Sequence, residues 1–234
     1  MTTYRRTVLR SGVAVAVLPV LGAGARAQAD DTIRIGVLTD LSGPYKDGSG
    51  PGSVACVEQA VAEFTAANPS LKVEMIAADH QNKPDIGLGI IRQWFDRRGV
   101  DLVTDIGNSA IAIGARAIVQ ERDKVALVST AGSSDLTGKY CSPNLLHWAW
   151  DSWCLAQSTG GALTRAGGNR WFFITPDYAF GHAAQADLTA FVEKAGGRVV
   201  GSVRYPFPQT TDFSSFLLQA QVSGANVFCF TNSG

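Results

Sequence analysis

From Thr32 onward, short segments with a two-residue apolar period alternate with longer segments of helical period, and few folds satisfy that alternation. Ile33, Ile35 and Val37 alternate with Arg34 and Gly36 and run into Leu38, a strand pattern. Val54, Val57, Ala60, Val61 and Phe64 then recur at helical spacing. Residues 71–78 read as a second strand, Leu88, Ile91 and Phe95 as a second helical stripe, and 101–106 as a third strand. An Ala/Ile-rich helix over 109–120 follows, capped by Asn108, then a fourth strand over 124–129. This βαβαβαβ series predicts a parallel sheet covered by helices on both faces. The pattern restarts near residue 150: a helix over 152–165, then strands over 170–175, 199–205 and 226–231, separated by helices over 180–195 and 213–222. The expectation is two doubly wound α/β units, the second with only three strands.

The first thirty residues follow a different logic. Arg5, Arg6 and Arg10 precede an apolar run from Val13 to Leu21, and Ala27-Gln28-Ala29 precedes Asp30. These are the three parts of an export signal, with cleavage expected near Ala29. A run of nine residues spans only about 13 Å as a helix, against about 30 Å of bilayer hydrocarbon, so it is not read as a membrane span. The Arg5-Arg6 pair followed by Leu9 resembles a twin-arginine signal, with an ordinary secretory signal as the alternative. The expected destination is the periplasm. The chain's neutral total of 20 basic and 20 acidic residues hides an acidic body, because Arg5, Arg6, Arg10 and Arg26 all precede the first acidic residue. Such a body has no field for nucleic acid or anionic lipid.

Export makes disulfides a question for the four cysteines. Cys56 lies in a helical apolar pattern and Cys229 in a strand pattern, where free cysteine behaves as a small buried hydrophobe. Cys141 and Cys154 are close in sequence, which leaves a bridge between them open. His80, His147 and His182 are far apart and no Cys-x-x-Cys occurs, so neither a metal site nor a cofactor is expected.

In open α/β sheets ligands bind beyond the carboxyl ends of the strands, so the loops there are the candidates for chemistry. The first contains Gly48, Gly50 and Gly52 with Pro51 suited to a first helical turn. A nucleotide reading is weak: these glycines lie about ten residues past the strand, and the Walker lysine spacing is absent. Gly107-Asn108-Ser109 follows strand three, and Ser129-Thr130-Ala131-Gly132-Ser133 follows strand four. Small hydroxyl and amide residues there either cap their own helices or turn helix N-termini toward a carboxylate ligand. Hydrolase chemistry is disfavoured, since no Gly-x-Ser-x-Gly elbow occurs and His80 reads as solvated loop.

Ile-Gly-Val-Leu-Thr-Asp-Leu-Ser-Gly-Pro-Tyr at 35–45, Ala-Asp-His-Gln-Asn-Lys-Pro at 78–84, Thr-Pro-Asp-Tyr-Ala-Phe-Gly-His at 175–182 and Asp-Phe-Ser-Ser at 212–215 carry a family resemblance. Together they resemble the periplasmic solute-binding proteins of ABC importers, of the leucine/isoleucine/valine-binding type. The resemblance implies two lobes joined by a hinge that close on a small ligand, here 30–149 and a partial 150–234. It implies a receptor and not an enzyme, a small carboxylate ligand such as an amino acid, amide or aromatic acid, and ABC permease subunits as partners. The same fold used as a ligand sensor is the alternative function. Carried residue by residue, it points to Asn108 and Ser109 after strand three, and Ala131, Gly132 and Ser133 after strand four. Phe180 is the matching aromatic wall, with Tyr45 as a further one. Phe180 departs from the tyrosine often found there, which removes a hydroxyl. The acidic partner of a ligand ammonium belongs to later segments of the family. The chain is therefore expected to be a fragment, aggregation-prone and poor at binding when expressed alone.

Overall fold

A computed structural model describes residues 31–233, so the export-signal reading of residues 1–29 lies outside the described part. The first sheet has the order β2-β1-β3-β4-β5 and is parallel throughout. Its strands are β1 (Thr32–Thr39), β2 (Lys72–Asp79), β3 (Leu102–Asp105), β4 (Val125–Val128) and β5 (Leu145–His147). The helices α1 (Gly50–Ala67), α2 (Pro84–Gln93) and α3 (Ser109–Glu121) connect the first four strands. A π-helical turn, Trp94–Arg98, prolongs α2 and ends at Gly99 in the left-handed conformation. Where the sequence predicts four strands, a fifth is found. β5 has three residues and no alternation of its own, and its pairing of Leu145, Leu146 and His147 with β4 makes it a strand.

The main core lies between this sheet and the α2/α3 layer. Leu38, Val103, Ala126 and Val128 from the strands meet Ile91, Ile111, Ala115, Ile118 and Val119 from the helices, all buried. Two glycines set the helix spacing. A β-carbon at Gly87 would come within 2.7 Å of Ile111 Cδ1, and one at Gly114 within 2.7 Å of Leu88 Cδ1, so each helix receives the other's side chain. The opposite face is covered by α1 alone among the described residues. Between them lies an apolar groove bordered by Ile33, Val57, Phe64, Leu102 and Leu127. Cys56 borders the same groove and is exposed, correcting the expectation of a buried thiol, because nothing described covers its side of α1. Cys141 and Cys154 are free and exposed; Cys229 is half-buried, its thiol pushed up to about 11 by burial.

The second sheet, β7-β6-β8, is also parallel, with β6 (Arg170–Pro176), β7 (Arg198–Tyr205) and β8 (Val227–Phe230). Helices α4 (Ser152–Arg165) and α5 (Ala179–Lys194) cover one face, where Ala156, Leu188 and Val192 pack on Trp171 and Phe173. Helix α6 (Ser214–Val222) covers the other through Ala220, Phe213 and Phe216 against Phe172, Ile174 and Tyr205. On β8, Phe228 and Phe230 are each 48% exposed. No described helix is long and apolar enough to cross a membrane.

The α2/α3 crossing places the N-terminus of α3, and paired substitutions test it. Gly89, on the same helix as Gly87, has nothing within 4 Å of its would-be β-carbon. Gly89→Ala should raise unfolding stability by about 0.5–1 kcal/mol, because alanine is the better helix former. Gly87→Ala should lower it by about 1–3 kcal/mol through overpacking. Urea unfolding of the full chain reads both, and two changes of the same sign would refute the tight crossing.

Candidate functional site

The carboxyl ends of β1 to β4 are tied together by buried polar side chains. Asp40, fully buried, accepts from the backbone N–H groups of Gly43 at 2.7 Å and Tyr45 at 3.0 Å, which shapes the loop carrying Tyr45. Asp79 does the same from the neighbouring strand, accepting from Leu41 N–H, Gln81 N–H and the Ser42 hydroxyl. Burial pushes the Asp79 carboxyl up, yet those three hydrogen bonds outweigh it and leave the group below its ordinary value.

His80 is fully buried, correcting its reading as solvated loop. The chain turns sharply at Gln81 and Asn82, both in the left-handed region, and the Asn82 N–H donates back to His80 Nδ1 at 3.0 Å. That bond places the ring proton of neutral His80 on Nε2. Asn82 Oδ1 in turn accepts from Asn108 Nδ2 at 2.6 Å. Asn108 caps α3 as predicted, its Oδ1 accepting from the N–H groups of Ala110 and Ile111. One side chain thus fixes both the helix start and the loop after β2.

The loop after β4 is anchored from both sides. The Thr130 hydroxyl donates to Asp105 Oδ1 at 2.6 Å, and Ser129 N–H donates to Asp105 O. Ala131 O accepts from His147 Nε2 at 2.6 Å. Ser133 Oγ accepts from Asp135 N–H and caps a short 3-10 turn, Ser134–Leu136. Toward the second sheet, Ser152 N–H donates to Gly132 O, while the hydroxyls of Ser134 and Ser152 both donate to Asp187 Oδ2 on α5.

These loops border a cavity of about 600 Å³ that opens between the two sheets. Its first-sheet wall is polar: Ser49, Gly107, Ser109, Ser129 and Thr130. Aromatic rings complete its border: Tyr45 from the loop after β1, Trp150 just before α4, and Tyr178 and Phe180 at the start of α5. Trp150 meets Phe180 edge-on at 5.8 Å between ring centroids, and Tyr178 stacks on Phe207 at 5.0 Å. The hydroxyls of Tyr45 and Tyr178 lie 2.5 Å apart and join the loop after β1 to the loop after β6. Burial pushes Tyr45 up to about 12 and raises Tyr178 as well, so both phenols are neutral. Among the described residues that border it none is basic, and Asp47 is the single acidic one. Among the described residues no three of His, Cys, Asp and Glu converge as a metal site.

Of the residues singled out in the sequence, Tyr45, Ser109, Gly132 and Phe180 border this one cavity, whereas Asn108, Ala131 and Ser133 stand behind it in capping and backbone roles. Gly107, Ser129 and Thr130 of the same two loops border it as well, and so do Trp150, Tyr178 and Ser49, to which the sequence assigned no role. Tyr178 lies two positions from Phe180 in a motif already noted, and Trp150 in the aromatic stretch following β5.

Two parallel sheets whose strand ends face one shared cavity define a binding-protein class of α/β fold. The chain belongs to the periplasmic binding protein family, whose sequence profile matches residues 32–234. A solved periplasmic binding protein from Burkholderia mallei is 42% identical, with a TM-score of 0.83 over 87% of this chain and 54% of that one. A branched-chain amino acid ABC transporter periplasmic ligand-binding protein from Burkholderia xenovorans LB400 is 36% identical, with a TM-score of 0.69 over 86% of this chain and 54% of that one. The Leu/Ile/Val-binding protein homolog 6 of Brucella abortus (strain 2308) is 25% identical over 224 residues, 95% of this chain and 56% of that protein. The chain therefore spans about half the length of the relatives it matches.

The buried histidine gives a pH test of this polar layer. Burial holds His80 below the ordinary histidine value, against the opposing fields of Asp40, Asp105 and Asp79. In the unfolded chain it titrates near 6.5, so below that pH the unfolded state binds the extra proton first. Stability should fall as pH drops through this window, by at most about 1.4 kcal/mol per pH unit for the one site. His80→Phe should flatten that slope in urea unfolding curves taken across the window, and an unchanged slope would show that His80 is not held neutral.

Proposed function

We propose that this chain is the ligand-capturing part of an extracytoplasmic receptor that takes a small carboxylate, an amino acid or a related acid or amide, and delivers it to an ABC permease. The observation that carries the reading is the two-sided cavity. Hydroxyl groups and helix-terminal backbone on its first-sheet wall suit a carboxylate, and the aromatic rings that complete its border suit an apolar or planar body. Neutral donors hold an anion without the strong desolvation cost of a buried lysine, which suits a carrier that must also release its cargo. The 36% identity to a branched-chain amino acid transporter's ligand-binding protein supports the same ligand class. The family is a substrate-binding one, and the cavity border lacks a nucleophile–base pair, so a receptor is favoured over an enzyme.

A thermal-shift screen of the full-length protein against amino acids, amides and aromatic carboxylates tests the reading. Ligand at one hundred times its Kd should stabilise the folded state by about 2.7 kcal/mol. Silence across all three classes would remove a carboxylate receptor from consideration. With a ligand in hand, Ser109→Ala should weaken binding by about 0.5–1.5 kcal/mol, the scale of one hydrogen bond. Phe180→Ala should lower affinity with little change in the melting of the unliganded protein. A loss of melting temperature without loss of affinity would instead make Phe180 a packing residue of α5.

A further inference from the structure

One buried group takes no part in the cleft as described. His80 Nε2 carries a proton, is buried and has no hydrogen-bond partner among the described residues. A buried donor left without an acceptor gives up its hydration for nothing, so the folded protein has strong reason to supply an acceptor. Gly107 shows where one fits. A β-carbon there would stand 3.4 Å from Thr130 Oγ1, 3.5 Å from Ser49 Oγ and 4.0 Å from His80 Nε2. That is a methyl-sized space ringed by three polar atoms, and Gly107, Ser49 and Thr130 all border the cavity.

The proton count decides what belongs in it. Thr130 gives its hydroxyl proton to Asp105 Oδ1, and Ser49 directs its own at Tyr45 O while accepting from the Thr39 hydroxyl at 3.4 Å, which leaves it one lone pair. Both oxygens therefore face the space as acceptors, and His80 Nε2–H is its one donor. A carboxylate oxygen, which only accepts, would meet two lone pairs there. A water, accepting one hydrogen bond and donating two, complements the set, and buried waters typically make about three bonds to groups otherwise unsatisfied.

We propose that His80 is a positioning residue of the cleft: its Nε2–H holds one water over Gly107, and that water donates one proton to Thr130 or Ser49 and the other to the ligand's anionic group. Only the last step rests on the receptor reading. A β-carbon at Gly107 would intrude on the water's place while standing no closer than 3.4 Å to Thr130, Ser49 or His80. His80, kept neutral by burial, offers the same single donor across the neutral pH range.

Ligand-free, full-length protein labelled with 15N-histidine tests the site without any ligand. The His80 Nε2–H signal, assigned by its disappearance in His80→Phe, should show cross-relaxation to a long-lived water, and Gly107→Ala should abolish that contact while the protein stays folded. Absence of the water contact in the unsubstituted protein overturns the proposal, and so does its survival in Gly107→Ala. A strongly deshielded Nε2 proton without water contact would mean a direct bond to Asp105 Oδ2, which is also buried and unpartnered, and overturns it equally. Titration with L-leucine and with benzoate reads the last step, where Gly107→Ala should weaken whichever binds by a few-fold to about tenfold. Unchanged affinity refutes that step alone. If neither probe binds the unsubstituted protein, the receptor reading fails for these acids and the ligand-free spectrum still decides the water site.

Discussion

The loops around the cleft depend on how β3 leaves its sheet. Asp105 has φ of 75° and Ile106 φ of 55°, two consecutive residues with side chains in the left-handed region, and a β-branched residue there is a true outlier. Such a conformation costs on the order of 1–3 kcal/mol per residue and persists only where the surroundings over-determine it. They do so here. Ile106 N–H donates to Leu38 O, its side chain is fully buried, and Asp105 receives Ser129 N–H on its carbonyl and Thr130 on its carboxylate. The turn so fixed aims Gly107 at the cavity and starts α3 immediately afterwards.

A polar chain continues from that turn, since Asn108 caps α3 and binds Asn82, whose N–H orients His80. Asp40, His80, Asn108 and Ser133 are each at most 3% exposed, a high polar content for the underside of surface loops. Loops of this kind are ordinarily the mobile part of an α/β domain. Here each is bonded to its neighbour by a group that would be costly to leave unpaired, so the first-sheet wall is shaped before any ligand arrives. Preorganisation of this sort reduces the ordering cost of binding and leaves more of the contact energy as affinity.

How much of this was legible follows from which interactions are local. The strands and helices of both units were readable because burial on a sheet face or helix stripe imposes a period on the sequence, and Asn108 was readable because capping chemistry acts within three residues. β5 was not, since its strand character comes from β4 and not from its own three residues. His80 sits among Asp79, Gln81 and Asn82, polar neighbours that read as solvent-facing, and the left-handed turn that buries it leaves no periodic trace. Tyr45, Ser109, Gly132 and Phe180, to which the motifs of the family resemblance point, border one cavity. Tyr178 escaped notice because its partner Tyr45 is 133 positions away, and no local pattern encodes a contact at that separation.

That distant pair also shows what kind of contact joins the two halves of the cleft. Two phenols at 2.5 Å can share only one proton between them, so one hydroxyl donates to the other and the second proton is left to a different acceptor. Phe207 lies against both rings and shields the pair on its apolar side. Elsewhere the halves meet through the Ser134 hydroxyl on the Asp187 carboxylate, Ser134 N–H on the Ser152 hydroxyl and Ser152 N–H on Gly132 O, again hydrogen bonds. A typical hydrogen bond contributes about 0.5–1.5 kcal/mol net in water, and one to a charged group about 1.5–3. A handful of these forms a seam of modest strength, in contrast to the continuous apolar layers that fix α2, α3, α4 and α5 to their sheets.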